Sequence, residues 1–416
     1  MSLRAHRSAL PRPPGGARGA TRPTQYEFET HKYFGNNHAD SEARMSGAAS
    51  GWFVVAHADE IPSPALLVYP DRIEENIRRM IVMAGGVERL RPHMKTHKMA
   101  EIIRLQTAQR ITKFKCATIA EAELTAGAGG SNVLLAYQPV GPNVRRFIQL
   151  IQKFPTTTFS TVADDGPAIR ALAEAANASR VRVDLLLDID CGQHRCGVEP
   201  GPGAIELYRL IAKHPSLRAA GLHVYDGHIH DTDLTARTAT CESAFAPVLK
   251  FREELTAAGL PVSTVVAGGT PTFPIHARRE GIECSPGTCV LWDHGYSTRL
   301  PDLDFLPAAL LLTRVISKPG AGRLCLDLGH KAVASEMPHP RVRLLELPDA
   351  RFVTHSEEHL VVETEHAEGF SVGDCLHGMP WHICPTVALH SEAIVVRNGR
   401  AEARWKVAAR ERMLTI

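Results

Sequence analysis

Short β-rich runs alternate with amphipathic helical segments from Ala65 to about residue 300, and this alternation constrains the fold more than any other feature of the chain. Ala65–Tyr69 reads as an apolar strand. Asp71–Met83 then places Ile73, Ile77, Met80 and Ile81 on one helical face. Eight further strands are predicted: Leu90–Lys95, Lys115–Ile119, Val133–Tyr137, Thr157–Thr161, Val181–Ile189, Ala220–Tyr225, Ser263–Ala267 and Ile282–Ser285. Helical stretches such as Gly141–Gln152, Gly166–Ala176, Ala204–Lys213 and Thr235–Ala258 separate most of them. Strands that alternate with helices build parallel βαβ units. Eight such units favour a (β/α)8 TIM-type barrel over an open doubly wound sheet, which has about five or six strands.

The texture changes after about residue 305. Ala308–Ile316, Arg323–Leu328, Arg341–Leu345, Phe352–Thr354, Leu360–Glu363 and Ala393–Val396 are strand-like, helices are scarce, and Pro, Gly and Asn turns intervene. The α/β class with a C-terminal all-β domain follows. The expected layout is an N-terminal extension over 1–50, a barrel over 60–305 and a β domain over 306–416.

The extension is compositionally distinct. Arg4, Arg7, Arg12, Arg18 and Arg22 precede the first acid, Glu27, and Pro11, Pro13, Pro14, Gly15 and Gly16 break any helix. It reads as a disordered tail, or as sequence upstream of a working start at Met45. A transit-like segment is the alternative, but it lacks the amphipathic period.

With 47 basic and 45 acidic residues, the chain has no electrostatic case for nucleic acid or an anionic membrane. No apolar run approaches the roughly 18 residues of a membrane span. Nine cysteines without a C-x-x-C pair point to reduced thiols and a cytoplasmic setting.

Barrels place their chemistry at the C-terminal strand ends, with phosphate loops after the seventh and eighth strands. The first predicted strand ends at Lys95, within Arg91-Pro92-His93-Met94-Lys95-Thr96-His97-Lys98. A basic turn is the bland reading of that run. Schiff-base chemistry is the other, because a rim amine can condense with an aldehyde. Arg195 lies past the fifth strand, and Tyr225 ends the sixth, followed by His228. Gly268-Gly269-Thr270 and Gly287-Thr288 follow the seventh and eighth, where N–H groups and hydroxyls can meet a phosphate. Together these residues describe a pocket for a phosphorylated aldehyde, with pyridoxal 5'-phosphate the natural candidate.

The motifs RPHMKTHK, DIDCGQHRCGV, GLHVYDGH, AGGTPT, SPGT, DLGHKAVASE, SEEH and HICPTVALH resemble those of the D-threonine aldolase and D-serine dehydratase family. That family belongs to the alanine-racemase-like, fold type III pyridoxal-phosphate enzymes. The resemblance implies that Lys95 carries the cofactor, that Arg195 meets its phenolic oxygen and that Tyr225 stacks on its ring. Ser285 stands where racemases keep an arginine beside the pyridine nitrogen. The resemblance also implies a divalent metal, zinc or else manganese or magnesium, at His382 and Cys384. These two residues are expected on one side of a strand that Pro385 ends. His339, His377 and His390 are expected at the surface or behind the ligands.

The implied reaction is a lyase reaction on a D-3-hydroxy-amino acid, with His228 or metal-bound water as the base for the β-hydroxyl. Aldolase-type Cα–Cβ cleavage to glycine and an aldehyde is the leading reading. D-serine dehydratase chemistry is the alternative, because that branch pairs histidine with cysteine where an aldolase branch uses a carboxylate. A non-catalytic pyridoxal-phosphate carrier resembles the barrel alone. A racemase needs a second base, usually a tyrosine, from the C-terminal domain, and Tyr296 is the last tyrosine in this chain. The expected partners are a small D-amino acid substrate and a second copy in a homodimer.

Overall fold

Inward and outward residues alternate along seven parallel strands that form the barrel wall in a computed structural model describing residues 51–416. The expectations for 1–50 lie outside the described residues. After β1 (Ala65–Val68), which lies outside the wall, these are β2 (Lys113–Cys116), β3 (Asn132–Leu135), β4 (Thr158–Ala163), β5 (Val183–Ile189), β6 (Leu217–Val224), β7 (Val265–Ala267) and β8 (Ile282–Cys284). β2 through β8 pair in sequence order. An extended segment closes the ring through parallel bridges Leu90↔Cys284 and His93↔Lys115.

That segment is the predicted first barrel strand, but it is shorter than Leu90–Lys95. Arg91 and His93 donate to Cys284 and Pro286 of the β8 side, while Pro92 can only accept, from Lys115 N–H at 2.9 Å. A proline cannot complete a ladder. The chain leaves the wall at His93 and turns through a 3-10 helix, Met94–Thr96, so Lys95 sits on a turn above the strand end.

The remaining strands are β9 (Ala309–Gly320), β10 (Arg323–Leu326), β11 (Val342–Leu344), β12 (Arg351–His355), β13 (Leu360–Glu363), β14 (Cys375–Pro380), β15 (Glu392–Arg397) and β16 (Arg400–Lys406). They form a mixed sheet in the order β12-β13-β10-β9-β1-β15-β16, with β14 on β9 and β11 on β14. β14 and β16 were not predicted. β1 belongs to this sheet, antiparallel to β9 and parallel to β15, rather than to a barrel spanning 60–305. Its run Leu66-Leu67-Val68 is buried on both faces, which suits a central strand of either sheet. Local pattern cannot choose between them.

Helices Pro70–Ala84, Ala100–Ala108, Ile119–Gly127, Pro142–Lys153, Gly166–Ala178, Pro202–Lys213 and Leu234–Ala257 surround the barrel. Ile73, Ile77 and Met80 of the first are fully buried against the wall, a spacing that follows the 3.6-residue period. No described helix is long and apolar enough to cross a membrane.

Candidate active site

The RPHMKTHK turn is shaped by its histidines rather than served by them chemically. His93 Nδ1 accepts from Lys95 N–H at 3.4 Å, and His97 Nδ1 accepts from Met99 N–H at 3.2 Å. Both rings are buried. Burial and then Lys95 push His93 well below its ordinary value, and burial takes His97 down to about 3, so both are neutral acceptors. Lys98 is ion-paired with the buried Glu121, whose second oxygen accepts from Ala117 N–H at 2.6 Å. Lys98 is therefore engaged, and Lys95 is the amine that the turn presents. Glu121→Ala should cost about 3–5 kcal/mol in urea unfolding by stranding the Lys98 charge. A loss below about 1 kcal/mol would contradict that pairing.

Around the mouth, three basic side chains surround one aromatic ring. Arg195 Cζ lies 4.8 Å from the centroid of Tyr225, Lys95 Nζ 5.8 Å and Lys115 Nζ 5.6 Å. The sequence puts Lys95, Arg195 and Tyr225 at strand ends of one rim. Lys115 was read only as the start of a strand. An open cavity of ≈ 230 Å³ adjoins the ring, lined by Tyr225, Gly227, His230, Gly269, Tyr296 and Arg299 among others. His228 is not among the lining residues. It lies against Gly192 after β5, where an added Cβ would come within 3.1 Å of its Nε2, and its Nδ1 is buried without a partner. Gly227 passes so close to the Tyr225 ring that a Cβ there would collide with it.

The loops after β7 and β8 come together as expected, but their donors are not free. Gly268 N–H is bonded to Val224 O, and Gly269 N–H reaches Thr272 Oγ1 at 3.3 Å. The N–H groups of Gly287 and Thr288 converge on Thr270 Oγ1 at 3.2 and 3.1 Å. One oxygen thus fills the position that a phosphate oxygen would take in a backbone cradle, so the donor set suits a phosphate once Thr270 turns. Ser285 donates to Arg91 O at 2.8 Å.

Beneath the β7 loop, Asp226, Cys241 and His276 bring one potential ligand atom each within 4.8 Å of the others. Arg279 donates to His276 Nδ1 at 2.7 Å, so the neutral ring carries its proton on Nε2 and donates to Asp226 at 2.8 Å. That tautomer leaves no lone pair for a metal, and Arg279 adds a repelling charge. Burial would raise Asp226, but His276 and Thr272 hold it below the usual carboxylate range. Thr272 donates to Asp226 at 3.0 Å and accepts from Gly269, so this network holds the phosphate loop in shape.

His382 and Cys384 open a helix, Ile383–Leu389, instead of ending a strand. Pro385 is tolerated in its first turn, where the missing N–H would have no helical partner. Buried Asp293, pushed up to about 6 by burial against its backbone bonds, accepts from Tyr296 and Ile383 N–H and ties this helix to the exit of β8. Cys384 Sγ lies 3.2 Å from Thr96 Oγ1 and 3.5 Å from Thr288 Oγ1, which brings it beside Lys95 and the phosphate loop. Burial opposes charge on Cys384, yet His382, Lys95 and Thr96 hold its thiol below the ordinary value. Burial also opposes charge on His382, yet Cys384, Asp293 and Glu336 push it up to about 9.

Glu336, not predicted as a site residue, binds His382 Nδ1 at 2.5 Å. It leaves Nε2 as the ligand atom, the carboxylate–histidine arrangement that orients metal ligands. Imidazole and thiolate suit a borderline-soft divalent ion. His377 is buried on Glu346 at 2.6 Å, not at the surface, because β14 carries it into the mixed sheet. His390 bonds Ala332 O at 2.8 Å, and His339 is exposed.

Comparison with known proteins agrees with this geometry. The alanine racemase N-terminal domain model matches residues 68–293, more than half of the chain, and the serine dehydratase domain model matches 308–396. A D-threonine aldolase of Arthrobacter sp is 28% identical over 84% of this chain and 93% of its own length. A 3-hydroxy-D-aspartate aldolase of Paracoccus denitrificans (strain Pd 1222) is 30% identical over 84% and 92%. The crystal structure of D-threonine aldolase from Filomicrobium marinum superposes with a TM-score of 0.79 at 30% identity, covering 87% of this chain and 99% of that one. With both domain models matched, the chain belongs to the D-threonine aldolase and D-serine dehydratase family of alanine-racemase-like, fold type III pyridoxal-phosphate enzymes.

Proposed function

We propose that this protein is a pyridoxal-phosphate- and divalent-metal-dependent lyase of D-3-hydroxy-amino acids, with D-threonine aldolase-type cleavage of Cα–Cβ to glycine and an aldehyde. The observation that carries this reading is the contact of Cys384 with Thr96 and Thr288, which puts a His–Cys ligand pair on the same rim as Lys95 and the phosphate cradle. When bound, the cofactor supplies an electron sink and the ion a Lewis acid. Lys95 would hold the cofactor, Tyr225 stack on it, Arg195 face its phenolic oxygen, and Gly268, Gly269, Thr270, Gly287 and Thr288 hold its phosphate. His382 and Cys384 would hold the metal, with zinc favoured by the thiolate.

The chain's own groups account for the proton movements. Lys95 can move a proton at Cα from one face only, which supports D specificity. His230 lines the cavity and takes over from His228 as the histidine able to accept the β-hydroxyl proton. A second reading, D-serine dehydratase giving pyruvate and ammonia, is favoured by Cys384 itself. There Lys95 would remove the α-proton while the β-hydroxyl leaves. The nine unpaired cysteines support a cytoplasmic setting, and the family resemblance supports a homodimer.

Product analysis tests the reading. Protein loaded with pyridoxal phosphate and incubated with D-threonine should form glycine and acetaldehyde, with L-threonine left unchanged. Keto acid and ammonia from D-serine, without glycine from D-threonine, would select the second reading. Equal turnover of both threonine enantiomers would remove the D-specific lyase assignment.

A further inference from the structure

The barrel mouth contains a second amine that the reaction scheme leaves unused. Phe114 and Cys116 point outward into the layer between barrel and helices, so the alternation of β2 directs Lys115 into the barrel. The residue is 2% exposed, and no hydrogen bond to its Nζ is seen among the described residues. It extends across the mouth toward Tyr225 on the far wall. Placing a lysine there costs several kcal/mol unless it neutralises or finds an anion.

Rim order identifies the anion, given the cofactor reading proposed above. The segment carrying Lys95 lies between β8 and β2, through Leu90↔Cys284 on one side and His93↔Lys115 on the other. The phosphate cradle belongs to the β7 and β8 loops, where a Cβ on Gly269 would touch the Tyr225 edge at 3.2 Å. In pyridoxal phosphate the aldehyde carbon is flanked by the phosphate arm on one side and the phenolic oxygen on the other. An aldehyde held at Lys95 with its phosphate toward β8 therefore turns its phenolic oxygen toward β2. We propose that Lys115 is a cofactor-binding residue whose amine meets the phenolic oxygen of pyridoxal phosphate, sharing it with Arg195.

The electrostatics of the empty site agree with this assignment. Burial, then Lys95, takes Lys115 down to about 7. Asp226 and Asp188 pull it up, and Arg195 pushes it down. His93 also faces it, held neutral by burial. At pH 8 the empty amine is mostly neutral. An anionic oxygen beside it raises its proton affinity, so loading at pH 8 draws a proton onto Lys115.

The test uses Lys115→Met, which keeps the side-chain length and removes the buried charge, with Lys115→Gln as a second variant. A thermal melt of each empty protein checks folding. Both should still be labelled at Lys95 by borohydride after loading with pyridoxal phosphate. The pH midpoint of the visible cofactor band should rise by about one unit, because one neighbouring cation no longer favours the phenolate. Pyridoxal phosphate should bind about tenfold more weakly. Proton uptake on loading at pH 8 should fall relative to the unsubstituted protein. Unchanged midpoint and affinity in the folded variants would overturn the assignment. Failure of the unsubstituted protein to take pyridoxal phosphate onto Lys95 would overturn the cofactor reading as well, and is seen separately.

Discussion

Lys95→Ala should fold normally and lose lyase turnover by roughly 10³-fold or more, because it deletes the amine proposed both to hold the cofactor and to move the Cα proton. Lys95 sits on the Met94–Thr96 turn, outside the barrel core, so its truncation removes little packing. Borohydride treatment of the loaded, unsubstituted protein followed by peptide mapping should fix the pyridoxal label on Lys95. Lys98 is held by Glu121, which makes Lys115 the informative competitor. A label found on Lys115 or Lys98, or turnover within about tenfold of normal in Lys95→Ala, would refute the assignment.

Removing the metal should separate two functions that Lys95→Ala removes together. Chelation should abolish lyase activity and leave the visible cofactor band in place, because the proposed cofactor residues belong to the barrel while the proposed ligand pair opens the helix Ile383–Leu389. Zn²⁺, Mn²⁺ and Mg²⁺ should restore activity to different extents, zinc best if Cys384 is a ligand. His382→Ala should behave like the chelated enzyme. Glu336→Gln should weaken metal affinity by about 10–100-fold, since it loosens the orientation of the His382 ring without removing a ligand. Cys384→Asp should move the preference toward harder ions. Full activity in protein stripped of all metal would reduce His382 and Cys384 to a proton-sharing pair.

These experiments rest on residues that were unequally legible in the chain. Lys95, Arg195 and Tyr225 could be placed on one rim because each follows a strand whose period is local, and the β/α order decides which end of each strand faces the site. The His382-x-Cys384 spacing was visible too, although its conformation was misread. A two-residue spacing reads as one face of a strand, and only the tertiary structure, where Ile383 N–H donates to Asp293, shows a helix start there. His228 lies off the cavity lining for a similar reason. Its position after Tyr225 is a property of sequence, but its packing against Gly192 is a tertiary contact.

The alternation of strand and helix, the change of texture near residue 305 and the rim motifs were determined by sequence alone, because they depend on contacts within a few residues. Tertiary structure decided what depends on pairing across the chain. It placed Ala65–Val68 between β9 and β15, since a run apolar on both faces suits any central strand. It brought Glu336 onto His382 across 46 residues and Lys115 of β2 toward Tyr225 at the end of β6. It also occupied the phosphate donors of Gly287 and Thr288 with Thr270. Closing the barrel turns sequence-distant side chains toward one point, and local periodicity carries no information about which of them will meet.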